Sequence, residues 1–197
     1  MNTMEPDVLN QVQKGSQEAF TQLVETYQRP VFNLCYRMLG DANEAEDASQ
    51  ETFLRVYKNI KHYDHKRPFS TWLLSIAAHH CIDQLRKRRM VVVSMDDLPY
   101  LDPPDSSPGP EATFYLRENQ KKVEDLLKSL NPHDRAAVVM YYWYDFSYDE
   151  IAHSLSLTVS AVKSRLHRAR LTLAQTWQKQ GAQNFSTERK THESPAF

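Results

Sequence analysis

The chain has 197 residues, 41% of them hydrophobic, and a formal net charge of −1. That length suits one or two small domains, each with enough apolar content for a core, and the near-neutral charge excludes a uniformly basic nucleic-acid binder. Two cysteines are too few for a disulfide scaffold, no apolar run approaches a membrane span, and Met1 to Gln11 lacks the regions of a signal peptide, so a cytoplasmic protein without membrane insertion is expected.

The neutral total hides sorted charge. Asp41 to Glu51 is acidic, Arg55 to Arg89 is basic with only Asp64 and Asp83 opposing, Asp96 to Glu111 is acidic again, and Lys163 to Arg170 is basic. Blocks of this kind predict separate surfaces with separate partners.

In chain order the apolar spacing predicts helix throughout, hence an all-α fold. Ser16 opens a helix with Phe20, Leu23, Val24 and Tyr27 on one face; Pro30 kinks or restarts it, and Val31, Leu34, Cys35 and Met38 continue the stripe to Gly40. Asp41 and Glu44 approximate a capping box for a helix to about Ile60, buried along Ala45, Ala48, Phe53 and Val56. After a loop containing Pro68, Ser70 caps a helix reaching Arg89. Leu74, Ala77, Ala78, Cys81 and Leu85 form its apolar side, while Trp72, Ile76, His79, Asp83 and Arg86 line the other. Tyr63, Phe69 and Trp72 add aromatics beside cations, the combination that holds separated nucleic-acid strands. Cys35 and Cys81 both fall on apolar stripes and read as buried free thiols.

From Val91 to Ala112 five prolines and four aspartates, with no basic residue, predict an acidic linker. At about 22 residues it spans at most ~75 Å when fully extended. Helix resumes near Glu111, with Leu116, Val123, Leu127 and Leu130 as its apolar positions. Asn131 and Pro132 then start a helix containing Val139, Tyr142 and Trp143. The expected organisation is a first domain at 1–90, the linker at 91–112, a second domain at 113–178 and a disordered tail at 179–197.

Ser147 to Arg170 spells out a helix-turn-helix. Ser147 and Glu150 make a capping box, Phe146 and Ile151 a hydrophobic staple, and Ile151, Ala152 and Leu155 a buried stripe. Ser156 to Val159 is a turn, and Ser160 caps a second helix whose Val162, Leu166, Ala169 and Leu173 face inward. The outward face has Lys163, Ser164, Arg165, His167, Arg168 and Arg170 and no acid. Cations for phosphates and forked or short polar side chains for base edges are what a helix in a major groove requires.

The segments EDASQETFLRVY, FSTWLLSIA and SAVKSRLHRAR, in this order and spacing, resemble the extracytoplasmic-function (ECF) sigma factors of bacterial RNA polymerase. The resemblance implies sigma region 2 followed by sigma region 4. It implies that Asp47, Gln50, Glu51, Leu54 and Arg55 dock on the clamp helices of the polymerase's largest subunit, with the flap as a further contact. It assigns Tyr63, Phe69, Ser70, Thr71, Trp72, Ile76 and His79 to opening and reading the −10 element, and Arg86, Arg88 and Arg89 to its duplex. Ser160, Lys163, Ser164, Arg165, His167 and Arg168 match the −35 reader. An anti-sigma factor is the implied regulator. Two positions depart from the pattern: His79, where relatives often have asparagine, and Ser156, where many have glycine.

Other readings fit less of the chain. A dimeric helix-turn-helix repressor leaves the first ninety residues without a role. A metal sensor would draw on His62, His65, His79, His80 and Cys81, but adjacent His79 and His80 diverge by about 100° on a helix. No metal, cofactor or catalytic residue is expected, since no Gly-rich phosphate loop or hydrolase motif occurs.

Overall fold

The computed structural model describes residues 6–94 and 111–191, with side chains described for 6–90 and 120–180. Residues 95–110, most of the expected linker, lie outside the described residues. Among those described, every regular element is helical, and they form two domains.

The first domain opens with α1 (Pro6–Gln13), which the sequence reading had not anticipated because eight residues give little periodic signal. Its Leu9 and Val12 are buried, and the Gln13 amide donates to the carbonyls of Ile60 (3.0 Å) and Tyr63 (3.1 Å). Helix α2 (Gln17–Leu39) is capped by the Ser16 side chain, which accepts from Ala19 N–H. Pro30 sits inside α2 without ending it, and Leu23, Tyr27, Val31, Leu34, Cys35 and Met38 remain one buried stripe. Gly40 stops the helix at φ 73°, a left-handed conformation open to glycine at no steric cost. Asp41 caps α3 (Ala42–Asn59) by accepting from Glu44 N–H, and a single 3₁₀ turn, Ile60–His62, follows. Helix α4 (Phe69–Ser94) packs Leu73, Leu74, Ala77, Ala78, Cys81 and Ile82 against α2 and α3. It begins at Phe69, so Ser70 lies in the first turn rather than at the cap. The Pro68 carbonyl closes that turn by accepting from Thr71 N–H. Cys35 and Cys81 are free and buried.

The second domain comprises α5 (Glu111–Lys128), α6 (Pro132–Tyr144), α7 (Tyr148–Ser154) and α8 (Val159–Thr191). Asn131 caps α6 with Pro132 in its first turn. The buried face of α6 runs from Asp134 to Met140, whereas Tyr142 and Trp143 near its end are exposed. Helix α8 starts at Val159 and is capped by Thr158, whose hydroxyl accepts from Ala161 N–H at 3.1 Å. The cap therefore sits two residues before Ser160, which is exposed in the first turn. The helix also runs through Gly181 to Thr191, where the polar composition had suggested a disordered tail. No proline interrupts that stretch, and a single internal glycine costs a helix only about 1 kcal/mol.

The domains pack against each other. The buried Arg135 guanidinium on α6 donates to the Met38 carbonyl at the end of α2 (2.5 Å) and to its own domain's Lys128 (3.0 Å) and Leu130 (3.3 Å). Tyr144 donates to the Pro30 carbonyl at 2.6 Å, and Tyr36 to Glu124 at 2.7 Å. The Arg37 guanidinium lies 5.1 Å over the Trp143 ring. Gly40 is approached so closely by the Lys128 side chain that a Cβ there would sit 2.7 Å from its Cε.

Candidate polymerase and promoter interfaces

The helix-turn-helix forms as its sequence signals require. Ser147 Oγ accepts from Glu150 N–H (3.2 Å) while the Glu150 carboxylate accepts from Ser147 N–H (2.9 Å), and Phe146 and Ile151 are both buried. Ser156 occupies the left-handed region at φ 54°, so the turn keeps the glycine-type conformation and a non-glycine residue bears its strain. Val162, Leu166 and Ala169 anchor α8 in the core. Ser160, Lys163, Ser164, His167, Arg168 and Arg170 are exposed along the opposite face. Arg165 differs. It is half-buried, and its guanidinium donates at 2.8 Å to the carboxylate of Asp134 on α6. A second guanidinium, Arg168, stands 3.9 Å from the same oxygen.

The residues assigned to the −10 element divide into support and surface. Tyr63, Phe69 and Thr71 are buried. Tyr63 packs edge-on against Phe69 with ring centroids 5.2 Å apart, lies 5.3 Å from Trp72, and donates its hydroxyl to the Arg67 carbonyl at 2.6 Å. Burial pushes the Tyr63 hydroxyl pKa up. Thr71 donates to Glu150 on α7 at 3.3 Å. Tyr63 and Phe69 thus build the platform on which Trp72 stands, Thr71 ties the start of α4 to α7, and Ser70 is half-buried. Trp72, Ile76 and His79 line an open cleft of about 390 Å³ with Arg55, Asn59, His62 and Ser75. The sequence reading missed Asn59 and Ser75 and had placed Arg55 on the polymerase face alone. The spacing of Arg55 and Asn59, one turn apart on α3, was the available signal. Arg86, Arg88 and Arg89 are exposed toward the far end of α4, where Arg88 pairs with Glu44.

On α3, Asp47, Gln50 and Leu54 are exposed, and Leu54 is 55% accessible. Beside it Tyr57 is 60% accessible, a large apolar neighbour that the sequence reading did not name. Glu51 and Arg55 pair at 2.8 Å, and that hydrogen bond lowers the Glu51 carboxyl pKa. Together they form an acidic surface with an apolar centre. Among the described residues no helix is long and apolar enough to cross a membrane, and no three His, Cys, Asp or Glu side chains converge as a metal site would require.

Sigma-70 region 2 matches residues 23–90, and Sigma-70, region 4 matches residues 120–173. The chain is 36% identical over 172 residues to the ECF RNA polymerase sigma factor SigW of Bacillus subtilis (strain 168), covering 84% of this chain and 92% of that relative. Two solved structures share the fold. CnrH, in complex with the cytosolic domain of CnrY, superposes with a TM-score of 0.65 at 24% identity, covering 87% of this chain and 96% of that one. The sigma factor RpoE, in complex with the anti-sigma factor NepR from Bartonella quintana, gives 0.63 at 20% identity, covering 81% and 96%. Two helical domains in this order, the first bearing an acidic-apolar surface and an aromatic cleft and the second a helix-turn-helix with a cationic face, place the chain in the family of ECF sigma factors, within the sigma-70 family.

Proposed function

We propose that this sigma factor divides its work among three surfaces and acts in the cytoplasm, where core RNA polymerase supplies the chemistry. The outer face of α3, with Asp47, Gln50, Glu51 and Leu54, docks on the clamp helices of the polymerase's largest subunit, Leu54 as the apolar anchor. The cleft beside Trp72, Ile76 and His79 receives unstacked bases of the −10 element, with Arg86, Arg88 and Arg89 on the neighbouring duplex. The exposed face of α8 reads the −35 element.

The observation that supports this reading most is the capped helix-turn-helix, whose recognition helix is anchored by Val162, Leu166 and Ala169 and exposes Ser160, Lys163, Ser164, His167, Arg168 and Arg170, with no acidic side chain among them. A solvated surface helix has no need of a one-signed face held at a fixed angle by two caps. The proposed regulator is an anti-sigma factor, as the RpoE–NepR complex is formed by a protein of this fold. Mapping transcript starts made by core polymerase with and without the purified chain tests the reading. New, shared starts preceded by two common sequence elements are expected. Unchanged starts would overturn it.

A further inference from the structure

Asp134 was not among the residues singled out from the sequence. It stands in the first turn of α6, 4% exposed, where the helix dipole favours a negative charge. Every polar contact of its carboxylate is directed. Oδ2 accepts from the Asn131 amide at 2.6 Å, Oδ1 accepts from Arg165 at 2.8 Å, and the Arg168 guanidinium stands 3.9 Å from Oδ1. Arg165 and Arg168 lie three residues apart on α8, adjacent on one helix face, where two like charges repel. A buried carboxylate between them removes that repulsion, and burial demands that the carboxylate stay paired. The two arginines are engaged unequally: the Arg165 side chain is 25% exposed and that of Arg168 is 62% exposed.

We propose that Asp134 is a positioning residue for −35 recognition, holding Arg165 as a strut and leaving Arg168 as the arginine that reaches a base edge. The inference rests on the −35 assignment of α8 made above and refines it, because Arg165 then shapes the reader instead of reading. With Arg165 held against it, the Asp134 carboxylate also attracts the Arg168 guanidinium from one side, which restricts the directions Arg168 takes while leaving it exposed enough to make a bidentate contact with one base.

Charge bookkeeping separates this role from a merely structural one. Asp134→Asn keeps the shape and the helix cap but releases one positive charge on the DNA-facing side. Holoenzyme reconstituted with the full chain is selected against duplexes randomised at the −35 element. With Asp134→Asn the ratio of specific to non-specific affinity should fall about tenfold, the size of one good base contact. Non-specific affinity should rise, and the dependence of log affinity on log salt should steepen by about one unit. Asp134→Glu, which restores the charge, should recover most of the base preference. Equal losses of specific and non-specific binding, with no change in salt dependence, would show a structural role only and overturn the proposal; unchanged selection would overturn it too. A parent holoenzyme with no −35 preference would overturn the assignment of α8 and this inference with it. Nitrogen-15 NMR of the Arg165 guanidinium reads the strut without DNA. Slow rotation in the parent and in Asp134→Glu, lost in Asp134→Asn, is expected, and rapid rotation in the parent would refute the strut whatever the promoter result.

Discussion

The cations of the two domains are organised differently. On α8, Arg165 and Arg168 converge on one buried carboxylate, and the helix beneath them is fixed by a capping box and a buried stripe. At the far end of α4, Arg86, Arg88 and Arg89 are exposed, and the pairing of Arg88 is with Glu44, itself about two-fifths exposed. An exposed pair of long side chains gains little and holds neither group in one direction. A buried pair fixes direction at the cost of desolvation. The same residue type therefore takes two forms, a half-buried arginine that can brace its exposed neighbour on α8 and exposed arginines on α4, which fits the base and phosphate contacts proposed for the two surfaces. In the first domain direction comes instead from rings, with Tyr63 and Phe69 buried under Trp72.

The largest expected effect tests whether the two domains can be compared as separate units at all. Arg135 is buried with hydrogen bonds into both, and burial lowers its pKa to about 10, so it stays charged at neutral pH. Arg135→Ala strips three carbonyls of a charged donor and should cost about 3 kcal/mol of stability. A thermal melt that splits into two transitions would show the domains uncoupled, and an unchanged single melt would deny Arg135 that linking role.

Next come the two readers. Trp72→Ala should cost about 1–3 kcal/mol of −10 strand opening, the value of one stacked base, with duplex binding retained. Permanganate footprinting of the −10 region measures it, and normal opening would assign Trp72 to the core. Arg168→Ala should cost about 1–3 kcal/mol at the −35 element and relax base preference there. Arg88→Ala, by contrast, should weaken binding to all sequences alike by under about 1 kcal/mol and flatten the salt dependence. Equal loss of base preference in both variants would erase the distinction between the two cationic surfaces.

Periodicity made most of the helices legible, because α2, α3 and α4 bury apolar stripes and the caps at Ser16, Asp41, Asn131 and Ser147 stand one residue before the helices they start. It missed α1, too short for a stripe, and misplaced the cap of α8, because Thr158 and Ser160 are both competent cap residues and only the backbone chooses between them. The candidate sites were legible as charge and residue type along a helix. What stayed hidden were relations across helices. Nothing in PHDRAA marks Asp134 as the partner of an arginine on α8, and the one-turn spacing of Arg55 and Asn59 puts them on one face without saying that this face meets Trp72. Tyr63 and Phe69 show the converse: aromatics near a nucleic-acid motif share one composition whether they stack on bases or support the residue that does.

The smallest expected effect concerns His133, which senses cations of both α4 and α8. His133 on α6 is half-buried, and its pKa is lowered first by burial, then by Arg165 on α8 and by Arg86 and His79 on α4, with Asp134 opposing. A histidine depressed in the folded chain binds fewer protons there than when unfolded. Stability therefore rises with pH between the depressed value and the ordinary one near ~6.5, and is lost as pH falls through that window. His80 on α4 shifts in the same direction, chiefly through burial, and contributes within the first domain. The melting temperature should therefore fall on acidification from about pH 7 to about pH 5, and His133→Asn should flatten that slope while leaving the part due to His80. An identical slope in His133→Asn would show that protonation of His133 does not push the domains apart. The cations of α4 and α8 would then be too well screened to sense each other, and the influence of Asp134 would stay with the arginines of α8.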